Sequence, residues 1–459
     1  MQKRKKIYAM LGLLAVLLAV TVAVRTSKQK TESVKASGEE VFSIDTEEAV
    51  FLSWSYDSES FSFTKEEGSW TYDEDEAFPV DDEKIQELLD VFSSFKAAFT
   101  IEDPEDLSQY GLKSPECTIT IGTGDTEYTI CLGSTSTMDE ERYVTVGDGN
   151  VYLAAEDPAE EYETELSAFI KNDSVPEFGT VKEIEFSGSE EYEIVMDEQG
   201  TSYDPDDIYF TDGKALDTDL VNDYLDSMED LQLEDYAVYA ADDEDLYEMG
   251  LDEPIMSAQI TYLDEDENEN TFTLSVGLNR KELSEEEQDT EIDFENVTAY
   301  ARVGDSGIIY VISTDDYLTL TENTYDDLRH QEVLTAPFDE VASISVLLDG
   351  ESYSFTRDEE DESVWTDDEG SEIDISGLQS ALTSLKSSGF TDSNDADKKE
   401  ISLTVTLNDE NSTSVTIGLY RYDGDSCIAA VNAEPVCFVS RSSAVEVIEA
   451  VNSLVLNRD

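Results

Sequence analysis

One histidine, His330, and four cysteines are all that 459 residues hold of the side chains that most often run nucleophilic and metal chemistry. A single imidazole leaves no second base for a Ser–His–Asp arrangement, and the absence of any Cys-x-x-Cys pair excludes zinc-ribbon and dithiol redox readings. Lysine and arginine are scarce, 27 against 110 aspartates and glutamates. Nucleic acid is therefore a poor partner, because phosphate binding requires a basic footprint. Neither a Walker loop nor a G-x-G-x-x-G turn occurs, so no cofactor is expected. Apolar and aromatic residues are plentiful, at 39% and 10%, so the chain can bury cores and is not globally disordered.

The few cations are unevenly placed. Residues 1–35 hold eight of them and a single acid, leaving 19 basic against 109 acidic groups in the rest. Lys3-Arg4-Lys5-Lys6 precede Ile7 to Val24, eighteen residues without a charge. As a helix that run would reach about 27 Å, just enough to cross a bilayer. Residues 1–24 are thus expected to be a signal anchor or transmembrane helix, in the bilayer through residues 7–24, followed by a flexible tether at 25–43. A cleaved signal peptide is the alternative, since Thr21-Val22-Ala23 ends the run in small residues. No cysteine precedes Cys117, which excludes lipoprotein processing. Arg25, Lys28, Lys30 and Lys35 balance the four leading cations, so the positive-inside count alone does not orient the segment.

The chain is internally repeated. Leu107, Gly111, Leu112 and Pro115 recur as Leu246, Gly250, Leu251 and Pro254, the pattern L-x-x-x-G-L-x-x-P, 139 residues apart. That spacing is far above solenoid periods of about 20–50 residues, so each copy can own a small core. After the prolines, alternation at Cys117, Ile119, Ile121 and at Met256, Ala258, Ile260 predicts hairpins with one buried face, closing at Gly133 and Gly277. A later strand pair turns at Gly147-Asp148 in one copy and Gly304-Asp305 in the other. Leu403, Val405 and Leu407, then Val415 and Ile417 before Gly418, mark a third, degenerate copy without the motif. Each copy opens with strands, an acidic turn and a helix with an apolar stripe, for example Ile85, Leu88, Leu89 and Phe92. Asp82, Asp217 and Asp374 are the expected caps of those helices.

The expected fold class is α+β, tandem repeats of antiparallel strands packed with amphipathic helices after one N-terminal transmembrane helix. The expected repeats span 44–178, 179–336 and 337–459. The eight motif residues are structural, and no catalytic, cofactor-binding or metal residues are assigned.

Several motifs suggest chemistry and then fail on spacing. Gly304-Asp305-Ser306-Gly307 spells a protease nucleophile, but it sits at a hairpin turn, and His330 follows rather than precedes it. His330, near Asp327 and Arg329, reads as a surface or interdomain residue. Asp264, Asp266 and Asn268 start like a calcium loop, but Glu269 stands where glycine belongs and Ser275 where the bidentate glutamate belongs. Loose binding of divalent cations by the carboxylate runs is the remaining metal reading. Residues Lys281 to Glu295 read as a solvated insertion. In the first hairpin a turn at Gly124-Asp125 sets Cys117 opposite Leu132 and Cys131 opposite Thr118, on different faces, so they cannot bridge. Cys427 and Cys437 are the one candidate pair.

The anchor, Trp70, the amphipathic helix, Leu107-Ser108-Gln109-Tyr110-Gly111-Leu112 with Pro115 and the Gly133 hairpin resemble the bacterial domain-of-unknown-function 4340 family. The resemblance covers residues 1–335 as two copies and extends weakly over the last third. Leu328-Arg329 is similar to that family's arginine-containing segment, where the first copy has Phe169-Ile170-Lys171. The resemblance implies an extracytoplasmic protein, N-terminus inside, encoded near ABC-transporter components. It implies no catalytic residue. The expected function is that of an accessory or scaffold subunit of an ABC-type envelope transport system, partnered by a permease or auxiliary subunit. The alternative is a cell-surface binding or adhesion module.

Overall fold

The computed structural model describes residues 38–456 apart from 57, 125, 138–140, 198–199, 287–291, 349, 359, 396–397 and 409–412. The anchor run 7–24, most of the tether, Asp125 of the first hairpin turn and part of the 281–295 insertion lie outside the described residues. Among those described, no helix is long and apolar enough to cross a membrane.

The chain divides into two compact units, Met1–Asp173 and Ser174–Asp459. The first holds one antiparallel sheet: β1 (Glu39–Phe42), β2 (Ala49–Tyr56), β3 (Glu59–Glu66), β4 (Ser69–Tyr72), β5 (Phe95–Ile101), β6 (Cys117–Thr123), β7 (Glu127–Thr135), β8 (Arg142–Thr145) and β9 (Val151–Ala154). Its order is β1-β5-β9-β8-β7-β6-β2-β3-β4. Period-two alternation puts Leu52, Trp54, Ile119, Ile121, Ile130 and Leu132 on one buried face. The Asp82–Asp90 helix covers that face with Ile85, Leu88 and Leu89. Its cap is Asp81, which accepts from Glu83 N–H, and not the expected Asp82. Asp82 instead turns back to accept the Trp70 N–H at 2.7 Å, pinning the helix start to β4.

The second unit carries two further sheets. One comprises β10 (Thr180–Gly188), β11 (Tyr192–Met196), β12 (Tyr209–Thr211), β13 (Lys214–Ala215), β14 (Tyr236–Val238), β15 (Met256–Leu263), β16 (Glu269–Leu278), β17 (Ala299–Val303) and β18 (Ile309–Ile312). The other comprises β19 (Val341–Leu348), β20 (Glu351–Arg357), β21 (Trp365–Asp367), β22 (Glu372–Ile373), β23 (Ser387–Phe390), β24 (Lys398–Leu407), β25 (Ser414–Arg421), β26 (Ser426–Val431) and β27 (Glu434–Ser440). Their orders are β13-β12-β11-β10-β15-β16-β17-β18-β14 and β22-β21-β20-β19-β24-β25-β26-β27-β23. Eight strands run in the same order in all three sheets. The first adds an outer strand, β1, beside β5; the other two add β13 and β22 at the opposite end. The class is mixed and strand-dominated, with amphipathic helices on antiparallel sheets.

Within the second unit a linker joins the sheets by belonging to both. Leu328 is buried and its carbonyl accepts from Asp217 N–H. Gln331 O accepts from Ser387 N–H, Glu332 bridges Lys386, and Val333 N–H donates to Leu385 O. Val333, Leu334 and Ala336 then enter the core of the third sheet. Glu40 faces Lys96 between β1 and β5 in the same way that Glu332 faces Lys386. Arg329 stacks over Phe390 at 3.6 Å.

Candidate functional site

The repeat motif lies where each helical turn gives way to a strand. Leu107–Tyr110 forms a short 3-10 helix, and Gly111 ends it at φ 74°. Asp243–Glu248 is a full helical turn with a capping box at Asp242, and Gly250 follows at φ 71°. In each case the next leucine donates its N–H back to the first, Leu112 to Leu107 O at 3.2 Å and Leu251 to Leu246 O at 2.8 Å. This is the left-handed closure that glycine permits. Leu112 and Leu251 are buried, whereas Leu107 is partly exposed. Pro115 and Pro254 each stand two residues ahead of a strand, β6 and β15.

A second glycine explains why the motif needs the first. A Cβ on Gly133 would meet Tyr110 O at 2.2 Å, and one on Gly277 would meet Met249 O at 2.6 Å. The turn therefore rests directly on the backbone of the second hairpin strand. Arginines tie the same segment down: Arg142 binds Glu116, Asp157 and Gly133 O, and Arg280 binds Asp252 while stacking on Tyr247.

Chemistry gathers instead around His330. Asp207 sits in the turn between β11 and β12, its side chain only 2% exposed, and takes His330 Nε2 at 2.8 and 2.9 Å. Ser202 also donates to Asp207. His330 Nδ1 lies 3.7 Å from Asp217 Oδ2, while Asp217 Oδ1 caps the Thr218–Glu229 helix. Burial pulls the His330 pKa down, but the Asp207 hydrogen bond and the charges of Asp207, Asp217 and Asp204 outweigh it, and the net direction is up. Burial raises Asp204. Glu332 is pushed up by burial but held low overall by the Lys386 ammonium at 2.7 Å.

Asp217, His330 and Glu332 offer ligand atoms within 4.8 Å of one another. An imidazole and two carboxylates suit a zinc-like ion, and Asp207 would then orient the ring from behind. Glu332, however, is already paired with the Lys386 ammonium at 2.7 Å. The cluster pairs His330 and Lys386 with carboxylates at the junction of two repeats. The reading of His330 as an interdomain residue is consistent with this position, but its partners Asp207 and Glu332 had not been identified. Asp207 is 123 residues away in sequence, and no local pattern pairs them.

The remaining motifs take structural places. Gly304 to Gly307 forms the β17–β18 turn, with Ser306 Oγ accepting from Ile308 N–H. Asp264 accepts from Asp266 and Asn268 N–H and from the Asn268 and Asn270 amides, so its oxygens serve the β15–β16 turn. Cys117 faces Leu132 and Cys131 faces Thr118, as the hairpin register requires. Cys427 and Cys437 do not face each other: Cys427 opposes Val439 and Cys437 opposes Ala429, and both are free thiols. The expected pairing was off by two positions.

Three sheets of one strand order, in series on one chain, define a tandem α+β repeat protein. The chain belongs to the family described as Domain of unknown function (DUF4340), whose model matches residues 70–254 and again 213–405. Each match starts in the strands before one repeat's helix and ends within the next repeat. The third repeat's first half is therefore included, and the expected coverage of 1–335 is shifted. No curated protein and no solved structure matches the chain.

Proposed function

We propose that this is a membrane-tethered extracytoplasmic protein, anchored in the cell membrane by a single pass through residues 7–24. It serves as an accessory or scaffold subunit of an ABC-type envelope transport system, without enzymatic activity of its own. The observation that supports this reading is the threefold use of one sheet topology behind a basic-then-apolar N-terminus. Repetition multiplies docking surface, and a tether holds that surface near a membrane partner at high effective concentration. A permease or auxiliary subunit is the partner on this reading, and the carboxylate runs bind divalent cations weakly. Mild-detergent crosslinking and pull-down of the tagged chain, beside a version with residues 1–30 exchanged for another anchor, is the test. Recovery of a permease in either version supports the reading. External protease should remove the acidic portion from intact cells, and its protection would reverse the topology.

A cell-surface binding or adhesion module is the second reading. It is favoured by Phe99 and Tyr247, which stand 61% and 56% exposed. Recovery of wall polymer or a foreign surface protein, with no permease, would select it.

A further inference from the structure

The first two repeats close one slot with their own chain. In the first, Ile170 forms an antiparallel bridge with Val80, Asp81 N–H donates to Phe169 O at 2.8 Å, and Lys171 N–H donates to Pro79 O at 2.7 Å. In the second, Asp217 N–H donates to Leu328 O at 3.1 Å. Leu216 N–H points the other way, to Tyr209 O in β12, so the Leu328 segment lies along the outer edge of β13. The two occupants read Phe169-Ile170-Lys171 and Leu328-Arg329-His330, an apolar residue, any residue, then a cation-forming one. Phe169 packs against Trp54 and Phe63, so the first position fills the core.

Strand register carries the slot into the third repeat. Trp365 opposes Arg357 as Trp70 opposes Lys65. Each of these tryptophans, and Tyr209 in the same place in the second repeat, is followed by the short segment that ends in a helix-start aspartate, Asp81, Asp374 and Asp217 respectively. Ile373 and Asp374 thus hold the places of Val80 and Asp81. In this repeat the last strand leads directly into a continuous sixteen-residue helix, Arg441–Leu456, where the others have shorter helices and then the extended segment. Among the described residues β22 is the end strand of its sheet. Ile373 and Asp374 line an open cleft of about 740 Å³ with Phe338, Trp365, Glu362 and Glu372. Asp339 adds a fourth carboxylate. The one cation there, Arg357, is engaged by Asp339 O and by Glu362.

We propose that the β22 cleft of the third repeat is a docking site for an extended segment of a partner protein. That segment carries the pattern apolar, any residue, cation, and pairs antiparallel with Ile373 by strand addition. The backbone edge supplies affinity that does not depend on sequence, and the side-chain pattern supplies choice. The apolar residue enters beside Trp365 and Phe338, and the cation meets the acidic rim. Nothing in this depends on the transporter assignment. A peptide that binds while pull-downs yield no permease would sustain the site and sink that reading.

The probe is a labelled peptide copying residues 166–172, with a photoreactive group at the Ile170 position, added to the full-length chain in mild detergent. Saturable binding is expected, with crosslinks at 372–376. Ile373→Lys should weaken binding about tenfold or more, as should a peptide with glutamate in the Lys171 position. Should Ile373→Lys fail to fold by circular dichroism, Glu362→Lys combined with Glu372→Lys, both exposed, should weaken the peptide at low salt. No saturable binding would overturn the proposal. So would crosslinks at 79–81 or 215–217, or affinity unchanged in the folded variants.

Discussion

At the scale of residues, the motif glycines act in pairs. Gly111 and Gly250 need a positive φ, and Gly133 and Gly277 must lack a side chain so that the turn can sit on them. Gly133→Ala should cost about 2 kcal/mol or more, since the neighbour it meets is backbone. At Gly418, its counterpart in the third repeat, the nearest neighbour is the ring of Tyr420, a side chain that can move, and Gly418→Ala should cost less. Urea unfolding of the two variants compares them directly, and equal losses would remove the pairing argument. His330 carries the second residue-scale prediction. Its folded pKa is raised above the ordinary 6.5, so its contribution is fully present below that value and fades as pH rises through the folded pKa. The groups facing it are Asp204, Asp207, Asp217 and Glu332, and burial holds the Asp204 carboxyl above its ordinary value. His330→Gln should therefore lose about 2 kcal/mol at pH 6, a charge-assisted hydrogen bond, with the gap narrowing at alkaline pH. A gap independent of pH between 6 and 9 would show that the imidazolium is not the stabilising form.

Elements set the fate of the thiols. Cys117 and Cys131 occupy opposite faces of one hairpin, and Cys427 and Cys437 are two positions out of register on another. Mass analysis of unreduced peptides should find four free thiols. Burial pushes Cys117 up to about 12 and Cys437 to about 11, so both should alkylate slowly in the native chain at pH 8, with the less buried Cys131 fastest. A 427–437 bridge would refute the β26–β27 register. The same elements show what the sequence could disclose. Cys117, Ile119 and Ile121 alternate against Leu132, Ile130 and Tyr128, so one local pattern fixed both register and face. The Cys427 register escaped because the two-residue turn at Asn432-Ala433 already offsets the pair by one position and a bulge between Ala429 and Ala430 adds the second, and nothing local marks the bulge. Asp81 displaced Asp82 as the cap because Trp70, twelve residues earlier, holds the Asp82 carboxylate. Asp207 and His330 meet only through tertiary folding, which is why the sequence places His330 no more closely than at the surface or between domains.

At the scale of the molecule, coupling follows from the linker. Residues 328–336 supply Leu328 to one core and Val333, Leu334 and Ala336 to the next, and they hydrogen-bond to both sheets on the way. In repeat proteins stability is approximately a sum of unit terms and nearest-neighbour terms, so a shared segment of this kind makes the neighbour term large. The sheets β10–β18 and β19–β27 should then open together, and β1–β9, in the other compact unit, should open at its own free energy. Hydrogen exchange in mild denaturant, read by mass spectrometry, would show two cooperative groups rather than three. Leu334→Asp should lower protection across both sheets of the second unit, because an unpaired carboxylate would be buried in the third core on the segment that also serves the second. Gly133→Ala should lower protection only in the first. The charge of −83 acts on every unit alike through self-repulsion, so raising salt from about 10 mM to about 0.5 M should lift both groups as the Debye length shrinks from roughly 30 Å to a few ångströms. Three separate exchange groups, or a Leu334→Asp effect confined to β19–β27, would mean that the linker connects the repeats without coupling them.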